Sequence, residues 1–280
     1  MKRTFLFLTL WVAAVSIGMA GEDSPAILTT KDGKALRVFL MSTDGVFVET
    51  EFQKLRQKKS FTVEELDMLK FTPLGVNDNE LKELDDKVQE LFLQAKYAQL
   101  IDQIEPVAAP YAEYMSISNN LQTMYGLLMQ AYSRTGQHPQ AAAVAENLMR
   151  TQDESLKLNA TVCAALAAAD QQEFAAAETF LKEISDPVAA LYVQASIQRA
   201  EGATCDAIQT AVKVIAEHVD NMEWLPLTEV LCAELYLETG RTNSAVVTAR
   251  QAAKFYVGTN VGNEADALHS RIEQLTNKSE

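Results

Sequence analysis

The chain has 280 residues, with 38 Asp and Glu against 24 Lys and Arg and a formal net charge of −14. An acidic surface repels a phosphate backbone and offers anionic lipid no polybasic patch, so nucleic-acid binding and electrostatic membrane attachment are excluded as leading functions. The three cysteines, Cys163, Cys205 and Cys232, are widely spaced, odd in number and form no CxxC pair, which excludes a disulfide framework.

The first 20 residues read as an export signal. Lys2 and Arg3 precede a mostly apolar run over 5–17, and Gly18, Met19 and Ala20 lead into the polar Gly21, Glu22 and Asp23. Small residues then stand at the −3 and −1 positions of a cut after Ala20. The run is shorter than the ~20 residues of a membrane-spanning helix, so cleavage is expected rather than retention as an anchor. No cysteine stands at the cut, which argues against a lipoprotein anchor. The expected mature chain is soluble and exported, to the periplasm or cell envelope of a bacterium or beyond it.

Residues 21–70 are expected to form a small β-rich module. Runs over 26–30, 35–41 and 46–52 are separated by Asp32-Gly33 and Asp44-Gly45. Asp-Gly between β-branched and aromatic runs is a strong hairpin signal. A fourth short strand is expected over 60–63, then a helical turn over 64–69. The two Asp-Gly turns, followed by Phe61-Thr62-Val63-Glu64-Glu65-Leu66, resemble the SH3-like barrel of the Sla1-homology type. That type opens on an aromatic, where this chain has Ile27-Leu28. The module is expected to cap the first helix of the C-terminal helical region rather than to bind independently.

Residues 71–76 form a linker broken by Pro73 and Gly75. Asn77 then reads as a helix N-cap with Glu80 as its capping-box partner. Leu81, Leu84, Val88, Leu91 and Phe92 make one apolar helical stripe, and Leu100, Ile101 and Ile104 continue on a second helix.

Beyond this divergent first hairpin a pattern recurs. A small or turn-forming residue is followed five positions on by alanine, then by apolar residues four and seven further. The four copies begin at Gly136, Gln172, Gly202 and Gly240, and their alanines are Ala141, Ala177, Ala207 and Ala245. The alanines are 36, 30 and 38 residues apart, a period that belongs to stacked helical hairpins. Cys163 and Cys232 fall on apolar faces of these helices, where cysteine acts as a small hydrophobe. A Cys205–Cys232 bridge between neighbouring repeats is the alternative. Ala267, Leu268, Ile272 and Leu275 mark a closing helix within 259–280.

Tyr132 and Tyr236 lie four residues before Gly136 and Gly240, with Leu128-Met129 and Cys232-Ala233 one turn earlier and Tyr125 before the first pair. Together with the recurring alanine, this resembles the tetratricopeptide repeat over about 120–258. The second copy departs from it with Gln172 and Ala168, and the third with Gln198. The repeat-ending proline is only approximated, by Pro187 and Pro226. The resemblance implies a mainly α fold, a right-handed α–α superhelix of four to five hairpins over 77–258. The first helix of each hairpin would line a concave groove. The positions implied to face it are Gln130 and Arg134, Asn159 and Leu166, Ser196 and Arg199, and Val230 and Glu234.

No catalytic constellation is visible. His138, His218 and His269 are isolated from one another, and no nucleophile, phosphate-loop or metal motif is present. Asp85-Asp86 and Glu64-Glu65 are adjacent pairs, and helical neighbours do not share a face. Asn77-Asp78-Asn79-Glu80 lacks the glycine and acidic spacing of a calcium loop. No catalytic residue, cofactor or metal is therefore expected. The expected function is a non-enzymatic scaffold that holds a partner protein or peptide through Gln130, Arg134, Asn159, Ser196, Arg199 and Glu234. The alternatives are an oligomeric component of a secretion or pilus assembly, and a hydrolase with paired carboxylates in a cleft.

Overall fold

A computed structural model describes residues 24–71 and 78–277; the expected signal, the expected linker apart from Phe71, and the Asn77 cap lie outside these residues, and Phe71 ends the last strand instead of opening the linker. Both Asp-Gly turns form as expected: Gly33 and Gly45 take φ of 82° and 83°, where a side chain would be strained. In the second turn the Asp44 carboxylate accepts from the backbone N–H of Val46 and Phe47 at 2.9 and 2.7 Å. The strands are β1 (Ser24–Thr30), β2 (Ala35–Thr43), β3 (Phe47–Phe52), β4 (Lys58–Thr62) and β5 (Leu66–Phe71). They make one antiparallel sheet in the order β4-β3-β2-β1-β5.

The fifth strand corrects the sequence reading. Helical geometry is confined to a single 3-10 turn, Val63–Glu65, and the chain then pairs with β1, Leu69 opposite Leu28 and Phe71 opposite Ala26. A register shift opposite Thr29 and Thr30 places buried Leu66 and Leu69 three residues apart. A bulge therefore imitated helical spacing.

Eleven α-helices follow among the described residues: α1 (Asp78–Leu93), α2 (Tyr97–Ala108), α3 (Gln122–Arg134), α4 (His138–Leu148), α5 (Glu154–Asp170), α6 (Phe174–Glu183), α7 (Pro187–Ala200), α8 (Thr204–Glu217), α9 (Leu225–Glu238), α10 (Thr242–Phe255) and α11 (Asn260–Asn277). The first ten pair as hairpins. Each hairpin turns through one left-handed residue: Ala95, Gly136, Gln172, Gly202 and Gly240. Each of these residues donates its N–H three positions back, and the next residue donates five back, as Gly136 to Ser133 and Gln137 to Tyr132 at 3.2 and 2.9 Å. This is the Schellman closure of a helix C-terminus, made five times. The degenerate second copy makes it too, with Gln172 at φ 63°.

Five residues after the turn, Ala141, Ala177, Ala207 and Ala245 are fully buried where two helices cross. Leu100 holds the equivalent position of the first hairpin. Helices α3, α5, α7 and α9 contact one another in series, and each also packs on its own hairpin partner. Asp153 and Asp186 cap α5 and α7, each carboxylate accepting two backbone N–H groups. Cys163 and Cys232 are buried, Cys205 is exposed, and all three are free thiols. Burial pushes the Cys163 thiol up to about 12.

The two ends are finished differently. Leu28, Leu40, Leu69 and Phe71 of the sheet share one apolar cluster with Leu100, Ile104, Tyr114 and Leu128 of the first helices. The Phe71 ring stacks on Tyr111 at 4.3 Å. The Leu69 N–H donates to Ser118 O at 2.8 Å, and the Asn120 amide bonds both backbone groups of Phe71. At the other end α11 buries Val261, Ala265, Leu268 and Ile272 against α9 and α10. Ala267 and Leu275, assigned to this face from sequence, are exposed. Helix α11 also reaches the first hairpin, where the Asn263 amide donates to Leu93 O at 2.6 Å. No helix among the described residues is long and apolar enough to cross a membrane.

Candidate functional site

The repeat register places one set of equivalent side chains around a common space. Six residues before each left-handed turn stand Gln130, Leu166, Ser196 and Glu234. Two before it stand Arg134, Asp170, Ala200 and Glu238. All lie in the last two turns of α3, α5, α7 and α9, and all but Gln130 line a cleft of about 680 Å³. Helix α11 contributes Glu264 and Leu268 to it, and the first hairpin contributes Tyr97.

Ion pairs cross the cleft between repeats. The Arg199 guanidinium donates to Glu234 at 2.6 Å and, through Nε, to Glu238 at 2.9 Å. Burial opposes its charge, yet Glu234 and Glu238 together raise its pKa. Arg134 lies 3.4 Å from Glu264 and behaves alike: burial lowers its pKa, and Glu264 leads the groups that raise it above the ordinary value. Arg134 and Arg199 sit at helix C-termini, where a cation is favoured. Tyr97 donates its hydroxyl to Glu264, and burial and that carboxylate both raise its pKa. Asp170 ends α5, where an anion is disfavoured; burial raises its pKa, partly offset by His138 and Arg199. His138 Nδ1 is 3.2 Å from the Asp170 carboxylate but not aligned for a hydrogen bond.

A cavity of about 90 Å³ adjoins the cleft and shares Ser133, Arg134, Leu166, Tyr192 and Leu227 with it. Its remaining wall includes Gln130, Asn159, Cys163 and Trp224. Tyr192 and Trp224 lie with ring centroids 5.8 Å apart.

No protein-family model, curated protein or solved structure matches this chain.

Of the residues expected to face the groove, Arg134, Ser196, Arg199 and Glu234 line the cleft, with Leu166 and Val230. Gln130 and Asn159 line the small cavity, to which Arg134 also belongs. The structure thus brings all six candidate binding residues to two joined spaces. Sequence reading missed Asp170 and Glu238, although they hold the same register position as Arg134. It also missed Tyr97, Tyr192, Trp224 and Glu264. For Tyr97 and Glu264 no local signal existed, because they are 167 residues apart. His138, read from sequence only as an isolated histidine, heads α4 and lines the cleft. The adjacent pairs Glu64-Glu65 and Asp85-Asp86 do not line the cleft. Among the described residues, no group of three or more His, Cys, Asp or Glu is placed to hold a metal ion.

Proposed function

We propose that this chain is an exported, non-enzymatic interaction scaffold that holds a partner protein or peptide in the cleft. The helical hairpins are read as tetratricopeptide-like repeats forming a right-handed superhelix. The sheet, with a 3-10 turn before its last strand and β5 beside β1, is read as an SH3-like cap. The observation that carries the function is the origin of the cleft wall. Equivalent positions of four successive hairpins supply it, as expected of a repeat array that presents one face to a ligand. The cleft volume also lies in the ~300–1,000 Å³ range of ligand sites.

Affinity purification of the tagged chain from cell-envelope extract tests this reading. A partner recovered with the native chain should be lost with a folded Gln130→Ala/Glu234→Gln variant. Recovery of the same partners by both chains sinks it.

A second reading, a hydrolase, rests on Asp170, a cleft carboxylate whose pKa burial raises toward that of a proton donor. Glu234 and Glu238 are both tied to Arg199 and Glu264 to Tyr97, which leaves little room for a second reacting carboxylate. Turnover of glycoside or peptide substrates that is abolished by Asp170→Asn would establish it; no turnover across such a panel would remove it.

A further inference from the structure

The cleft and the small cavity share five wall residues and differ in chemistry. Among the described residues, four carboxylates line the cleft, Asp170, Glu234, Glu238 and Glu264, against the guanidiniums of Arg134 and Arg199 and the imidazole of His138, which faces Asp170. Each carboxylate has about four lone-pair sites and uses only part of them here. The cleft therefore holds an excess of negative charge and of acceptors, spread over several hairpins rather than gathered at a metal-sized point.

The small cavity differs. Among the described residues no carboxylate lines it; Arg134 and Trp224 can only donate, while Gln130, Ser133, Asn159 and Tyr192 can donate or accept. Trp224 is 3% exposed, and its indole N–H is buried without an acceptor. Tyr192, 8% exposed, lines both spaces. A buried donor left unpaired costs about 1–3 kcal/mol, a cost that a ligand acceptor at this point would remove. The walls between the polar groups are apolar, formed by Val162, Leu166 and Leu227.

We propose that the two spaces form one composite site that takes a short basic peptide segment. A lysine or arginine side chain lies among the cleft carboxylates, and a neighbouring peptide carbonyl accepts the Trp224 indole N–H in the small cavity. The inference rests on the scaffold reading above and names the chemistry of the partner. An acidic segment meets the opposite field and finds its cationic partners already engaged by Glu234, Glu238 and Glu264.

Isothermal titration of the intact chain with acetyl-Ala-Lys-Ala-Lys-amide, acetyl-Ala-Glu-Ala-Glu-amide and spermidine tests it. The lysine peptide should bind at least about tenfold more tightly than the glutamate peptide, and more weakly at high salt, as ionic contacts are screened. Glu238→Gln should weaken the lysine peptide about tenfold; if that variant does not fold, Asp170→Asn serves in its place. Trp224→Phe keeps an aromatic side chain but removes the N–H with the pyrrole part of the indole. It should weaken the peptide and leave spermidine, which has no carbonyl, unmoved.

Equal affinity for the two peptides, or no heat from the lysine peptide at about millimolar concentration, overturns the proposal. If the purification above still shows a partner lost on cleft substitution, only the basic-peptide assignment falls. If no partner is lost either, the scaffold reading falls with it.

Discussion

The two ends of the helical array are both closed, but by different physics. At the N-terminal end the sheet and the first hairpins bury one continuous apolar cluster, with Phe71 fully inside it. At the C-terminal end α11 has an apolar side toward α9 and α10, yet it meets the first hairpin and the end of α3 through polar groups. These are Asn263 on Leu93, Glu264 on Tyr97 and Arg134, and Asn260 on Tyr97. An apolar seal gains from every buried atom and is not weakened by ionic screening. A polar seam exchanges bonds to water for bonds to protein, so its net gain is small and adjustable. The first end belongs to one apolar core; the second adds a polar seam to its apolar side, and that seam borders the cleft.

This contrast is broken or sharpened by four substitutions. The largest effect is expected from Phe71→Ala, which removes a fully buried ring and should cost about 3–5 kcal/mol. Hydrogen exchange should then report β1, β5 and the start of α3 loosening together. If only the sheet loosens, the shared core is not one unit.

Next is Gly262→Ala. A Cβ there would lie 2.0 Å from Tyr256 O, and backbone cannot yield as a flexible side chain does. A loss of about 2–3 kcal/mol is expected, seen as faster exchange in α10 and α11 with the sheet unchanged. Spread of the effect to the sheet would show the two ends to be more tightly joined than the polar seam allows.

Glu264→Gln removes the charge shared by Tyr97 and Arg134 and should cost about 1–2 kcal/mol. In the native chain the protection of α11 should fall as salt rises, while that of β1 and β5 holds. Salt-independent protection of α11 would contradict the description of this seam as ionic.

The smallest effect is a gain. Gln172 sits at φ 63° in the turn where three other hairpins carry glycine. Relief of left-handed strain outweighs the added freedom of the unfolded chain, so Gln172→Gly should stabilise by about 0.5–1 kcal/mol in urea denaturation. A destabilised variant would mean that the Gln172 side chain makes a contact of its own.

Much of the helical array could be read from the chain because its code is local. A turn residue, an alanine five positions on, and apolar residues at helical spacing all act within one hairpin. Ala141, Ala177, Ala207 and Ala245 are buried as that spacing implied. The facing positions came from the tetratricopeptide resemblance, and Arg134, Ser196, Arg199 and Glu234 do line the cleft. Where long-range pairing decided the outcome, local spacing misled. Leu66 and Leu69 read as a helical turn until pairing with β1 made them a bulged strand. Ala267 and Leu275 read as core until the angle of α11 turned them to solvent.

The sequence by itself therefore determined the hairpins, their turns and the close helix crossings, because each depends on contacts a few residues apart. Only the tertiary structure decided that the sheet shares its core with the first helices. It also decided that the last helix returns to the first hairpin and brings Glu264 to Tyr97 and Arg134. Closure of that kind depends on how all the hairpins pack in series. No single hairpin encodes it, because the groups that meet, Tyr97 and Glu264, are 167 residues apart.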